Sequence, residues 1–217
     1  MPDTAQPRTP GYFRLLARFL RPFPDFDFTF IKPVRAAAVR ALALRPGDSA
    51  LDVGCGPGGS LPFLRAAVGD TGSVVGVEIS PVVAQLAEQR IARHGWQNVQ
   101  VQVAPAQTVA LDGEFDGLLM FAAPDVYASE VAVAHLCTRL RPGARVAFFG
   151  AKTSKRRGGW ILNWPLRWGM PRLSFATTPV PDDRPWILWE PILVDLQVRE
   201  YFFGWMFLAT GRLRQSA

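Results

Sequence analysis

Two hydrophobic periods alternate along the chain and predict alternating strands and helices. Short apolar runs bounded by glycine, proline or polar residues are typical of buried strands, whereas apolar residues that recur at helical spacing favour helices. The predicted helices are 60–68, 80–93 and 126–139. The predicted strands are an apolar run that begins at Ala50 and the segments 73–77, 99–103, 192–198 and 201–210. This alternation favours an α/β fold with a parallel, doubly wound sheet.

A glycine-rich turn follows the first predicted strand, in the run Ala50-Leu-Asp-Val-Gly-Cys-Gly-Pro-Gly-Gly-Ser60. Gly54, Gly56 and Gly59 have the spacing of a dinucleotide-binding fingerprint, in which glycines let backbone N–H groups approach a ligand. Asp52 precedes this turn, and a carboxylate there repels a pyrophosphate but pairs with an ammonium group. The turn is therefore predicted to bind a zwitterionic or cationic cofactor.

The glycine-rich run resembles the first motif of class I S-adenosylmethionine-dependent methyltransferases. Three later segments resemble further motifs of that family in the same order. The strand 73–77 ends in Glu78, where a carboxylate can accept hydrogen bonds from both hydroxyls of a ribose. The segments Gly113–Phe121 and Leu140–Ala147 resemble the fourth strand and the turn into the fifth. The resemblance implies a Rossmann-like, mostly parallel seven-stranded sheet with an antiparallel last strand.

The resemblance also implies that the cofactor is S-adenosylmethionine and assigns residues to it. The glycines would line the methionine portion, Asp52 would reach its amino group, and Glu78 with Ile79 would hold the ribose and adenine. An acidic residue commonly follows the third strand in this family and binds the adenine amine, but Pro105 stands at that position here. The predicted cofactor-binding residues are Asp52, Gly54, Cys55, Gly56, Gly58, Glu78, Ile79, Ala106, Gln107 and Phe121.

Methyl transfer from a sulfonium is an in-line displacement, so no nucleophilic residue is obligatory. Where the acceptor needs deprotonation, Asp125 and Tyr127 are the candidate bases, since both follow the fourth predicted strand. The alternatives are that Asp125 caps a helix and that Tyr127 is a core aromatic. His94 and His135 are interpreted as surface or packing residues. No group of histidines, cysteines and carboxylates has metal-ligand spacing, so no metal site is predicted.

Two segments lie outside the common core and are expected to determine the acceptor. Residues 1–45 are predicted to form an N-terminal helical cap, and 46–217 the methyltransferase domain, with an apolar, Trp-rich insertion at 152–190 after the fifth strand. On a helical projection, a basic stripe of Arg14, Arg18 and Arg21 crosses an otherwise apolar surface. This helix either packs over the cofactor cleft as a lid or lies in a lipid interface.

The insertion begins with a cluster of basic residues and continues with tryptophans. These ingredients suit an interfacial segment, a Trp-filled cap behind a solvated charge run, or a site for single-stranded nucleic acid. The basic residues of the cluster are Lys152, Lys155, Arg156 and Arg157, and the tryptophans are Trp160, Trp164, Trp168, Trp186 and Trp189.

The composition of the chain predicts the class of its partner and its cellular compartment. The net charge of +6 favours an anionic partner, either nucleic acid or an acidic membrane surface. Cys55 and Cys137 are interpreted as free thiols, and no signal peptide is recognised, so the predicted location is the cytoplasm, with membrane association left open. The predicted acceptor is a small hydrophobic or amphipathic molecule, lipid-like or quinone-like. RNA methylation, a nicotinamide oxidoreductase and a non-catalytic binding protein are the alternatives.

Overall fold

The computed structural model of the protein describes residues 31–155, 161, 163 and 184–214. Within these residues a single seven-stranded sheet has the order β3-β2-β1-β4-β5-β7-β6. Its strands are β1 (Ser49–Val53), β2 (Ser73–Glu78), β3 (Val99–Val103), β4 (Phe115–Phe121), β5 (Leu140–Ala151), β6 (Leu193–Tyr201) and β7 (Met206–Leu213). Strands β1 to β5 pair in parallel, and β7 runs antiparallel to both of its neighbours. The predicted fold class is confirmed, including the antiparallel last strand.

Helices cover both faces of the sheet and build a hydrophobic core on each. In chain order the described α-helices are α1 (Lys32–Ala41), α2 (Leu61–Val68), α3 (Pro81–His94), α4 (Pro124–Tyr127) and α5 (Glu130–Cys137). Ala50 packs in the core beneath α1, α2 and α3, whereas Leu51 packs in the core beneath α4 and α5. Because side chains alternate between faces along a strand, Asp52 shares the face of Ala50 and lies on the α1 side.

The predicted helix at 126–139 is wrong in one respect, since two helices occupy this segment. The first is α4, and α5 begins after a break at Ser129. The Ser129 hydroxyl accepts a hydrogen bond from the backbone N–H of Ala132 at 3.3 Å, which caps α5. Asp125 lies within the first turn of α4 rather than at a cap position. The hydrophobic period of the segment 126–139 continues across this break, so the period does not reveal it. The hydrogen bond between Ser129 and Ala132 starts a second helix there.

The closing hairpin also differs from its predicted bounds. Its turn includes Phe202 and Phe203, which the aromatic pattern had placed in a strand. Both have left-handed backbone conformations, with φ of 49° and 58°. Residue type alone favours a strand for phenylalanine. The N–H of Trp205 closes the turn by donating to the carbonyl of Phe202 at 3.2 Å, and the hydroxyl of Ser154 adds a bond from a distant part of the chain to the carbonyl of Phe203.

The two segments expected to determine the acceptor, 1–45 and 152–190, fall partly within the described residues. The predicted helix that carries Arg14, Arg18 and Arg21 lies outside them, as do Arg156, Arg157, Trp160, Trp164 and Trp168. Within the segment 1–45, the described residues form the helix α1. The described residues contain no helix that is both long and apolar enough to cross a membrane.

Lys152 does not belong to a solvated basic run, which corrects that part of the prediction. Its side chain is buried, and its Nζ lies 2.7 Å from Oε1 of Glu200. Two tryptophans of the insertion belong to the core. Trp189 is fully buried and donates from Nε1 to the backbone carbonyl of Tyr127 at 2.9 Å, while Trp186 packs on Phe207.

Candidate cofactor site

The glycine-rich loop joins β1 to α2 at the carboxyl edge of the parallel strands, where open α/β sheets bind ligands. Its first residues are fixed by hydrogen bonds from the N–H groups of Gly54 and Cys55 to the carbonyl of Val77, at 2.8 and 3.1 Å. Gly54 has φ +72°, and a Cβ there would lie 2.6 Å from the Cβ of Ala123. At Gly56, no described atom lies within 4 Å of where a Cβ would stand. The loop is thus packed on one side and open on another.

Asp52 is fully buried beside this loop. Neither of its carboxylate oxygens accepts a hydrogen bond from a residue that the structure describes. Burial raises the pKa of Asp52 from an ordinary 3.8 to about 7; the charge of Arg35 opposes this rise and that of Glu78 adds to it. A buried carboxylate whose oxygens lack such bonds is stabilised by a cationic hydrogen-bond donor. The prediction that this position suits an ammonium group fits the geometry.

Glu78 ends β2 and braces the loop. Its Oε2 accepts from the N–H of Gly56 at 3.0 Å, and its Oε1 accepts from the N–H of Ser80 at 2.9 Å. The side chain is 5% exposed, and burial raises its pKa while the backbone donors lower it. Each carboxylate oxygen has a second lone pair, so both can also accept from ribose hydroxyls. The bracing contact was not predicted from the sequence.

Arg35 is the functional candidate that sequence reasoning missed. Helix α1 places its guanidinium over the loop, where Nη1 donates to Oγ of Ser60 at 2.8 Å. Its Cζ lies 4.1 Å from the ring centroid of Phe121, which also stacks on Phe149 with centroids 4.5 Å apart. A Cβ on Gly59 would come within 3.0 Å of this Cζ. The site therefore holds a fixed cation beside the buried carboxylate of Asp52, and Phe121 lies beneath that cation.

Known proteins match this chain over the segment that carries the site. Residues 50–143 match the family model described as "Methyltransferase domain". The "Nocamycin O-methyltransferase" of Saccharothrix syringae is 32% identical over 149 residues, which are 66% of this chain and 53% of that protein. The segment 50–143 therefore belongs to the class I methyltransferase family.

Two further similarities concern a curated relative and a solved structure. The "Demethylmenaquinone methyltransferase" of Tropheryma whipplei (strain Twist) is 29% identical over 141 residues, 64% of this chain and 57% of that protein. The chain thus spans little more than half the length of these curated relatives. The N-methyltransferase NodS from Bradyrhizobium japonicum WM9, solved with S-adenosyl-l-homocysteine, has a TM-score of 0.66 at 16% identity. That likeness covers 93% of this chain and 97% of NodS and shows the fold.

The predicted adenine side of the methyltransferase site follows β3. The N–H of Ala104 donates to the carbonyl of Glu78 at 3.1 Å, which holds this segment beside the ribose candidate. The carbonyl of Pro105 then accepts from two backbone N–H groups and closes a turn. Ala106 in that turn packs in the core, whereas Gln107 and Ile79 are half-buried. The polar side chains of this turn are Gln107 and the exposed Thr108.

The two candidate bases lie in α4, directly after β4. Asp125 is half-buried. Tyr127 is 2% exposed and packs against Phe148 and Phe207, and its hydroxyl fills the space that a side chain on Gly150 would need. Burial raises the pKa of Tyr127, which disfavours the phenolate that a base requires. The geometry favours the core-aromatic interpretation of Tyr127 and leaves Asp125 as the candidate base.

Other reactive side chains of the methyltransferase have packing roles. His94 ends α3 and stacks on Trp96 with ring centroids 4.7 Å apart, and Nε2 of His135 lies 2.9 Å from the carbonyl of Val109. Both cysteines are free thiols, as predicted, and burial raises the pKa of each. Among the residues that the structure describes, no cluster of histidines, cysteines and carboxylates is arranged to hold a metal ion.

Proposed function

We propose that this protein transfers a methyl group from S-adenosylmethionine to a small hydrophobic or amphipathic acceptor, lipid-like or quinone-like. The buried carboxylate of Asp52 beside a braced glycine loop is the observation that carries this proposal. A sulfonium cofactor with an amino-acid tail supplies both an activated methyl group and an ammonium group for that carboxylate. The residues present fit such a cofactor, because the carboxylate of Asp52, the guanidinium of Arg35 and the accessible backbone at Gly56 all lie at the glycine loop.

The roles of the protein side chains follow from their positions. Asp52 pairs with the ammonium group, and Glu78 accepts from the ribose while it holds Gly56 in place. Fixing both ends of the cofactor orients its methyl group towards the acceptor, and orientation supplies much of the rate in an in-line displacement. Asp125 accepts a proton where the acceptor is a hydroxyl. Gln107 or a backbone carbonyl replaces the missing acid at the adenine.

Two observations support an apolar acceptor. One relative is named for demethylmenaquinone, and another for the O-methylation of nocamycin. The described part of the chain also exposes Phe202 and Phe203 at the sheet edge that carries the cofactor site. We further propose a cytoplasmic protein with peripheral contact to an anionic membrane, supported by the basic stripe of Arg14, Arg18 and Arg21 and the net charge of +6.

Calorimetry and an acceptor panel test the proposed function. The purified full chain should bind S-adenosylhomocysteine and should bind NAD far more weakly. Transfer of a labelled methyl group from S-adenosylmethionine should then be measured onto a demethylated quinol, phosphatidylethanolamine and RNA. Absence of binding to S-adenosylhomocysteine would reject the enzyme, and tighter binding of NAD would favour an oxidoreductase. Labelling of RNA alone would replace the acceptor class.

Glu78→Ala should weaken binding of S-adenosylhomocysteine by about 1 to 3 kcal/mol, the order expected for loss of hydrogen bonds to a charged group. The loss has two sources, the ribose hydroxyls and the freed N–H of Gly56. Titration calorimetry measures the affinity, and Glu88→Ala, on the exposed side of α3, is the matched control. An unchanged affinity in Glu78→Ala would place the ribose elsewhere.

Arg35→Met should weaken the binding of S-adenosylhomocysteine by about tenfold. A guanidinium beside Asp52 can bind the carboxylate of the ligand's amino-acid tail. Methylthioadenosine lacks that tail, so its affinity should stay unchanged. Arg40→Met, on the exposed face of the same helix, is the control. Equal losses for both ligands would assign Arg35 to loop positioning, and no loss for either would remove it from the site.

A further inference from the structure

The turn between β6 and β7 carries exposed apolar side chains in a backbone conformation that phenylalanine rarely adopts. Phe202 and Phe203 both have positive φ, which costs on the order of 1 kcal/mol or more at each residue. Phe203 is nonetheless 77% exposed and Phe202 40% exposed. Strain together with exposed aromatic surface is unfavourable for an isolated soluble protein, so a partner surface is the natural explanation for both.

This turn is held in place by the beginning of the insertion. The hydroxyl of Ser154 donates to the carbonyl of Phe203 at 3.0 Å, and the N–H of Lys152 donates to the carbonyl of Trp205 at 2.9 Å. The ion pair of the buried Lys152 with the exposed Glu200 joins the same two segments. The presentation of the two phenylalanines is therefore over-determined by contacts distant in sequence, as expected of a built feature rather than a loose turn.

A third exposed apolar side chain lies close in the sequence to a residue bonded to Ser154. Asn163 exchanges two hydrogen bonds with the backbone of Ser154, at 2.8 and 2.9 Å, and Ile161 stands two residues before Asn163. Ile161 is 62% exposed. Of the seven large hydrophobic residues exposed in the described part of the chain, two therefore lie in this turn and a third stands two residues from Asn163. We call Ile161, Phe202 and Phe203 the apolar tip.

The surroundings of the apolar tip are basic. Among the described residues, Lys155 and Arg199 are both exposed. The acid at this junction, Glu200, is neutralised by Lys152. Apolar side chains within a basic rim match the two layers of an anionic lipid surface, in which acyl chains lie beneath negative headgroups.

The apolar tip also lies at the carboxyl edge of the parallel strands, where contact with a lipid surface would face the cofactor cleft. Met206, the first residue of β7, pairs with Ala151, the last residue of β5. The turn before β7 therefore projects from the carboxyl edge of the parallel strands, the same edge as the glycine loop. A surface in contact with the tip faces the cofactor cleft.

We propose that the apolar tip inserts into an anionic lipid surface and holds the cofactor cleft against it. This inference rests on the proposed function for its apolar acceptor, which would then enter the cleft from the lipid. The tip projects outward and is not concave, so it serves as an anchor and not as the acceptor pocket.

Co-sedimentation of the full chain with vesicles tests the anchor. Vesicles of phosphatidylglycerol and phosphatidylcholine should bind the protein, with weaker binding at high salt and to phosphatidylcholine alone. Phe203→Asn should reduce binding about tenfold, the order expected for one buried phenylalanine. Asparagine tolerates the left-handed backbone, so this variant keeps the turn. Phe203→Leu should bind within about threefold of the unchanged chain, since it keeps most of the apolar surface.

Val131→Ser is the matched control, because Val131 is 64% exposed on α5, away from the tip. It should bind vesicles as the unchanged chain does. Calorimetry with S-adenosylhomocysteine should give one affinity for all variants, which separates failure of the anchor from failure of the proposed function. Equal vesicle binding by Phe203→Asn and the unchanged chain would overturn the proposal. So would a loss of binding confined to a variant with Arg14, Arg18 and Arg21 replaced by Gln.

Discussion

Asp52→Asn is expected to weaken the binding of S-adenosylhomocysteine by about 3 to 5 kcal/mol, the range for removing one partner of a buried ion pair. Asparagine keeps the shape of the side chain but presents no charge to the ligand's ammonium group. Methylthioadenosine, which has no ammonium group, should lose little affinity. Titration calorimetry with both ligands measures the difference.

At alkaline pH, Asp52→Asn should have a larger free energy of unfolding than the unchanged protein. The pKa of Asp52 is raised to about 7 in the folded protein, mainly by burial, from an ordinary 3.8. Between these values the folded state keeps a proton that the unfolded state has released, so the stability of the unchanged protein falls as the pH rises. The amide of the variant does not titrate. The variant's advantage should therefore grow by roughly 2 to 3 kcal/mol between about pH 5 and pH 8.

Urea unfolding of both proteins at each pH measures this advantage. Asp112→Asn, at an exposed position before β4, is the control and should change neither stability nor affinity. If Asp52→Asn were less stable than the unchanged protein at both pH values, the carboxylate would have protein partners and the argument for an ammonium ligand would fail. If Asp52→Asn is more stable than the unchanged protein but no longer binds S-adenosylhomocysteine, the carboxylate of Asp52 serves function and not stability.

Gly54→Ala is expected to destabilise the protein by about 2 to 5 kcal/mol and to abolish cofactor binding, since two costs add at this position. A positive φ of 72° is unfavourable for alanine by about 1 to 2 kcal/mol. The new methyl group would also lie 2.6 Å from the Cβ of Ala123, and such overpacking costs about 1 to 3 kcal/mol.

A matched glycine separates the two costs. Gly113 has a φ of 78°, and no described atom lies within 4 Å of where its Cβ would stand. Gly113→Ala should therefore show the backbone cost alone, in urea unfolding at neutral pH. The double variant Gly54→Ala with Ala123→Gly should recover most of the packing cost. Equal losses in the Gly54 and Gly113 variants would contradict the close contact between the loop and the segment after β4.

The order of strands and helices and the chemical character of the glycine loop could be predicted from the amino-acid sequence. Periods of two and of three to four residues are local properties, and a chain with this alternation has few compact topologies available. The placement of Asp52 and Glu78 at one edge followed from the same rule, because parallel strands all end there. These predictions required no knowledge of distant contacts.

Only the tertiary structure decided what each side chain touches. Arg35 reaches the loop from a helix that precedes β1, and its contact with Ser60 joins residues 25 apart in the chain. Glu78 braces Gly56 across 22 residues, Tyr127 is enclosed by the core, and the hydroxyl of Ser154 donates to the carbonyl of Phe203 from 49 residues away. Such contacts depend on how complete helices and strands pack against one another. The hydrophobic period of a single segment does not specify that packing.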